Sequence, residues 1–366
     1  MAFILTFLGK GGTGRTTLAI AAAKALAEQG QRVLLVGGSA DPALGLLLGE
    51  PGLSVTPREV SANLVAAQIQ TTELLAQSWS EVKALEEQYV RTPFFKAVYG
   101  QELGVLPGMD EALTLYALKE WDACGQHDVI LYDSSSSQSL LRMLGMPEIA
   151  SWYGRRFRQV FAESDLGRAI SPFVQPVAAA VLNNPDWGSN PFDQQVGQAE
   201  NLFEQGKAAI ADPQRVLAYL VTTEDPVAQA SAQHLWGSAQ QINLTVGGVL
   251  LNRGIVSEPL SKAFAPLHIH AIPTRISDDW HPLMAALPPW QQPTPAPQPL
   301  SIDLAQRQVK LFLPGLDKKQ VKLTQSGPEL TIEAGDQRHN LLLPPELKGQ
   351  AVTGAKFDQG YLTIQL

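Results

Sequence analysis

Residues 9 to 17 read GKGGTGRTT, a glycine-rich run able to turn backbone N–H groups toward phosphate oxygens. Gly9, Gly14 and Thr16 meet the pattern G-x-x-x-x-G-K-[ST], but Arg15 stands where its lysine belongs. Gly9, Lys10, Gly11, Gly12, Thr13, Gly14, Arg15, Thr16 and Thr17 therefore form the expected nucleotide-binding run, with the Thr16 hydroxyl as a Mg2+ ligand. Lysine meets the outer phosphates as a compact point charge, whereas arginine is a planar, bulkier fork. Charge is kept and shape is not. Nucleotide is expected to bind and its hydrolysis to slow, since a misplacement of about 1 Å can cost on the order of a hundredfold in rate. On this reading Arg15→Lys raises turnover.

Such a loop works only between a strand and a helix, and the sequence supplies both. AFILTFL precedes it as a bare apolar run, and the Ala-rich TTLAIAAAKALAEQG follows, whose first turn adds the partial positive charge of a helix N-terminus. Strands are expected at Phe3 to Leu8, within AFILTFL, and at Val33 to Val36, Gly104 to Leu106, Val129 to Tyr132, Val216 to Val221, Gly247 to Leu251 and His268 to Ile272. Most lack alternation, as strands covered on both faces should. Helical spacing is read through Leu64, Val65, Ile69, Leu74, Leu75, Trp79, Val82 and Leu85, within an insertion of about 58–100. A second helical insertion, about 149–212, carries Trp152, Tyr153, Phe157, Val160, Phe161, Ile170, Phe173 and Val174. The pattern is α/β: a mainly parallel sheet flanked by helices over residues 1–287. PPWQQPTPAPQP lies in a proline-rich linker, residues 288–300, and residues 301–366 alternate with period two, as in a small all-β sandwich.

Composition narrows the function. The 366 residues are 45% hydrophobic and 17% charged with a formal net charge of -8, and no dense basic run points to nucleic acid. One cysteine, Cys124, excludes an intramolecular disulfide framework and a multi-cysteine metal site within one chain. The apolar start has no charged flank or cleavage pattern and no apolar run spans a bilayer, so a cytoplasmic protein without membrane-integral segments is expected.

Lys10, directly after the first glycine, brings a known family into view. Residues 1 to about 285 resemble the arsenite-pump (ArsA) and tail-anchored-protein-targeting ATPases. GGSADPALGLLLG is similar to that family's first switch, which begins D-P-A-H, with Leu44 in place of the histidine. GVLPGMDEALTLYAL is similar to its P-G-x-D-E-A segment. ILYDSSSSQSLLRML is similar to its second switch, D-T-A-P-T-G-H-T-L-R, keeping Asp133 and Arg142 while Ser136, Gln138 and Ser139 replace the Pro, Gly and His. LAYLVTTEDPVAQASAQHLWGSAQQINLTVGGVLLNRG follows its late strand-helix-strand.

The resemblance implies a phosphate-loop (P-loop) NTPase fold and a symmetric homodimer closing around two ATP molecules. It further implies that Asp41 orients the attacking water and that Lys10 reaches the partner's phosphates. Asp133 would serve Mg2+ directly or through water, and Asn252 would read adenine. Helical insertions would shape a groove for hydrophobic client segments, tail-anchored membrane proteins being one candidate class. No C-x-x-C pair is present for the zinc that pins targeting members, so a zinc-free interface is expected. The C-terminal residues 308–366 resemble small heat-shock (α-crystallin) domains through LPG, ELTI and YLTI turns, without that family's oligomer-linking tail.

Two function classes compete. One is a Mg2+-dependent ATPase cycling a client groove, and the other a nucleotide-stabilised holdase with little or no hydrolysis, motivated by Arg15 and the altered second switch. Arsenite chemistry needs clustered thiolates, which a single cysteine does not supply.

Overall fold

The structure, a computed structural model, describes residues 1–78, 108–163, 191–290 and 298–366. Strands β1 (Phe3–Leu8), β2 (Val33–Gly37), β3 (Arg58–Ser61), β4 (Leu64–Gln68), β5 (Val129–Asp133), β6 (Val216–Thr222), β7 (Val246–Asn252) and β8 (Ile269–Ile272) form one sheet. Its order is β3-β4-β2-β5-β1-β6-β7-β8, parallel throughout except for the β3–β4 pair. β1 lies between β5 and β6, with Leu5 opposite Leu131 on one side and Leu217 on the other.

β2, β5, β6 and β7 are buried along their whole length because helices cover both faces. One face packs Leu34, Val36, Ile130, Leu220 and Trp236; the other packs Leu5, Phe7, Leu35 and Leu131 against Leu18 and Ile20. The helix Arg15–Glu28 is buried from Leu18 through Ala23, and its small Ala side chains let it sit close to the sheet.

One expectation is corrected here. Leu64 and Val65 belong to a strand, not a helix: Leu64–Gln68 pairs with β2 in parallel and with β3 in antiparallel fashion. Short apolar runs such as LVAA do not distinguish a buried strand from a helix by spacing alone, and neighbouring β2 completes the hydrogen bonding. Helix begins only at Thr71. The expected strand Gly104 to Leu106, the helical positions Trp79, Val82 and Leu85, and Ile170, Phe173 and Val174 lie outside the described residues. Trp152 and Tyr153 sit on a continuous helix, Ser137–Glu163, that starts directly after the β5 loop, and a second long helix spans Pro191–Ala211.

The C-terminal strands form two antiparallel sheets. β9 (Leu300–Asp303), β10 (Gln308–Phe312), β14 (Gly354–Asp358) and β15 (Tyr361–Gln365) are ordered β14-β15-β10-β9. β11 (Val321–Ser326), β12 (Glu329–Ala334) and β13 (Gln337–Leu342) make the other. Val309, Leu311, Leu330, Ile332 and Ile364 fill the space between them. This sandwich docks on the helix Pro226–Gln241, where Trp236 meets Phe312 edge-on at 5.2 Å and Gln241 Nε2 donates to Ala334 O at 2.7 Å.

Candidate nucleotide site

Carboxyl ends of parallel strands are where open α/β sheets gather ligands, and four segments meet there. The loop after β1 reverses through Gly12 and Gly14, at φ +84° and +100°, a left-handed backbone that glycine adopts without strain. Thr13 closes its turn on Lys10 O through both its amide, 3.3 Å, and its hydroxyl, 2.8 Å. Gly9 is required by proximity: a Cβ there would strike the carbonyl of Val221. The helix opens at Gly14 with no side-chain cap, so its first N–H groups lack a side-chain partner, as a cradle for an anion requires.

The residues present fit a nucleotide phosphate with a hard cation. The Thr16 hydroxyl lies near the Asp133 carboxylate at the end of β5 and favours its charged form, which brings two oxygen donors to one place. Burial pushes the Asp133 carboxyl above the usual range, while Thr16 and the nearby Arg15 charge pull it back. Among the described residues there is no group of three or more His, Cys, Asp or Glu side chains placed to hold a metal.

Asn252, at the end of β7, is buried and donates from Nδ2 to Thr13 O at 2.8 Å. Its amide therefore braces the glycine loop, and a Cβ on Gly14 would collide with that nitrogen. Asp41 stands exposed in the loop after β2 and accepts from the Ala43 N–H at 2.7 Å. The Lys10 side chain is exposed beside the first glycine, and Leu44, in the family histidine's position, is buried.

Arg15 turns onto the segment after β5. Its Nη1 donates to Ser134 O and Ser134 Oγ, both 3.1 Å, and its Nη2 to Ser135 O at 3.2 Å.

Three side chains not singled out from sequence complete the site. Ser137 Oγ accepts from Gly9 N–H at 2.9 Å and donates to Gly9 O at 3.0 Å. Gln68 Nε2 donates to the carbonyls of Ser39 and Asp41, fixing the loop that carries Asp41. Arg253, in left-handed conformation at φ +59°, donates to Gly12 O at 3.2 Å. A buried glutamine ending the apolar run LVAAQ was the available clue to the second; Ser137 is hidden within SSSS.

Compared with known proteins, residues 1–268 match the family model described as anion-transporting ATPase, and residues 305–366 match the HSP20-like domain found in ArsA. A putative arsenical pump-driving ATPase of Chlorobaculum tepidum is 28% identical over 204 residues, 55% of this chain and 49% of that protein. The chain thus spans about half the length of that relative (49%). The putative arsenical pump-driving ATPase 1 of Aquifex aeolicus is 21% identical over 406 aligned residues, 99% of each chain. An ATPase ASNA1 homolog of Babesia bovis is 32% identical over 145 residues, 38% of this chain and 37% of that one.

Proposed function

The chain belongs to the ArsA anion-transporting ATPase family, and from that we propose a Mg2+-dependent, homodimeric, cytoplasmic ATPase that holds hydrophobic client segments under nucleotide control. The observation that carries the reading is the uncapped helix start behind two left-handed glycines, with Thr16 and Asp133 close together beside it. Backbone N–H groups of the loop and helix start bind the phosphates, and the helix N-terminus favours their charge. Thr16 and Asp133 would hold Mg2+, directly or through water, and the ion would supply positive charge against the phosphates. Asp41, steadied by Gln68, orients the attacking water. Lys10 reaches the partner's phosphates across the dimer, and Asn252 keeps its carbonyl oxygen as an acceptor for the adenine amino group. Ile149 and Tyr153, 41% and 54% exposed on the helix that follows the second switch, support a client surface there. Among the described residues no helix is long and apolar enough to cross a membrane.

Steady-state ATP turnover tests the reading. Asp41→Asn is expected to lower kcat by on the order of a hundredfold while ATP still binds. Equal, background-level phosphate release from both proteins overturns it.

A second reading, a nucleotide-stabilised holdase, is favoured by one observation: the Arg15 guanidinium is engaged by Ser134 and Ser135. Bound ATP that persists intact while clients are captured would select it.

A further inference from the structure

We infer that Arg15 is a positioning residue for the segment after β5, and that it acts on turnover through Ser134 and Ser135 instead of serving as the phosphate ligand of the loop. The inference rests on the ATPase reading and departs from the expectation that arginine is merely a poor substitute for lysine.

Geometry carries the argument. Two separate nitrogens of one planar group reach three acceptors on consecutive residues: Ser134 O, Ser134 Oγ and Ser135 O. An ammonium group has all its donors on a single atom and cannot span that set, so the fork shape itself is used. Arg15 is also the first residue of its helix, where the helix dipole opposes a positive charge. Arg15 is half-buried as well, so its charge is partly withdrawn from water. A cation held against these two costs must be compensated locally, and the Ser134 and Ser135 carbonyls with the Asp133 charge supply that compensation.

The same short segment is tied down on either side of Arg15. Asp133 lies near the Thr16 hydroxyl, and Ser137 exchanges two hydrogen bonds with Gly9. Ser136 Oγ accepts from Ser139 N–H at 3.0 Å, starting the next helix. Arg15 therefore fills the gap between the metal-side contact and the loop-side contact. The Asp133 carboxylate and the helix that follows are held in fixed relation to the phosphate cradle. Removing the guanidinium should leave the cradle's N–H groups in place but let the two serines move.

Three readouts on Arg15→Ala, Arg15→Lys and the parent protein decide the matter: equilibrium binding of ATP with Mg2+, steady-state kcat, and amide hydrogen exchange of residues 134–137 without nucleotide. Arg15→Ala is expected to bind ATP within about threefold of the parent, to lose about tenfold in kcat, and to exchange faster at 134–137. Arg15→Lys should resemble Arg15→Ala in kcat and exchange, since charge without the fork does not restore the contacts. Restored or raised kcat in Arg15→Lys, or an ATP affinity lowered tenfold in Arg15→Ala with unchanged exchange, overturns the inference. Should Arg15→Ala not fold, Arg15→Lys together with Ser134→Ala, which removes one acceptor only, gives the same reading, with faster exchange expected in both. A parent protein without turnover would count against the ATPase reading alone, because the exchange and binding measurements still judge the role of Arg15.

Discussion

The helix Ser137–Glu163 has two neighbours that treat polar groups in opposite ways. At its start, Ser137 holds Gly9 of a loop that turns through left-handed conformations at Gly12 and Gly14 into an uncapped helix. Further along, the sandwich packs against it and against Pro226–Gln241, where polar groups are turned inward and paired. His339, 2% exposed, hydrogen-bonds Gln241 O, and Gln241 Nε2 returns to Ala334 O at 2.7 Å. The loop leaves donors open, as an anion site would; at the junction His339 and Gln241 Nε2 find their partners within the chain. Open donors mark function better than buried ones do, because buried donors must find partners whatever the protein does.

The largest expected effect tests the loop side. Gly14→Ala places a Cβ against Asn252 Nδ2 on a residue at φ +100°. Strain of about 1–3 kcal/mol plus a displaced Asn252 should lower ATP affinity by roughly a hundredfold. Stability should fall by the same strain, about 1–3 kcal/mol, since the unfolded chain is free of it. Titration with a fluorescent ATP analogue beside urea unfolding checks both; a variant that loses stability but keeps its affinity would reverse the comparison.

How much of this was legible beforehand depended on the range of the interaction. β1, β2, β5, β6 and β7 were readable because strands covered on both faces need uninterrupted apolar residues, and VLLVG or VILYD can do little else. β3 and β4 were not, since Leu64–Gln68 becomes a strand only through its pairing with β2. The glycine loop was readable because its conformation is local. Its braces were not: Ser137 lies 128 residues from Gly9, Arg15 lies 119 from Ser134, and Gln68 lies 27 from Asp41. The broken pattern drew attention to Arg15, yet nothing in GKGGTGRTT says which way a guanidinium turns.

A middle-sized effect tests the junction. His339→Ala leaves Gln241 O without its partner and opens a gap, which should cost about 1–2 kcal/mol in urea unfolding while ATP affinity stays within twofold. The junction is not perfectly satisfied, since Gln337 Nε2 and Gln241 Oε1 have no partner among the described residues, so the cost belongs at the lower end for a buried pair. Burial holds the His339 imidazole below its ordinary range, with Gln241 O and Glu148 pulling upward and Lys207 pushing down. Its folded pKa lies below the unfolded value of about 6.5, so the unfolded chain binds the proton first. Stability from this residue is therefore full above about pH 6.5 and declines as pH falls toward the folded value. The parent should lose urea resistance over that window, and His339→Ala should lose less. Parallel pH dependence in the two proteins would remove His339 from the account.

The smallest effect sits between the two regions. Arg142, five positions beyond Ser137 on the same helix, pairs with Asp336 of the sandwich at 2.9 Å, with side chains 60% and 55% exposed. Water screens such a pair, so a double-mutant cycle of Arg142→Ala and Asp336→Ala should give a coupling of about 0.3 kcal/mol. In 1 M salt, where screening acts within about 3 Å, that coupling should vanish. A salt-resistant coupling above about 1 kcal/mol would move this contact out of the solvated class and join it to His339 and Gln241. The sandwich would then grip the switch helix itself, and sequence similarity at Arg142 would reflect a contact between the two units in place of one within the ATPase.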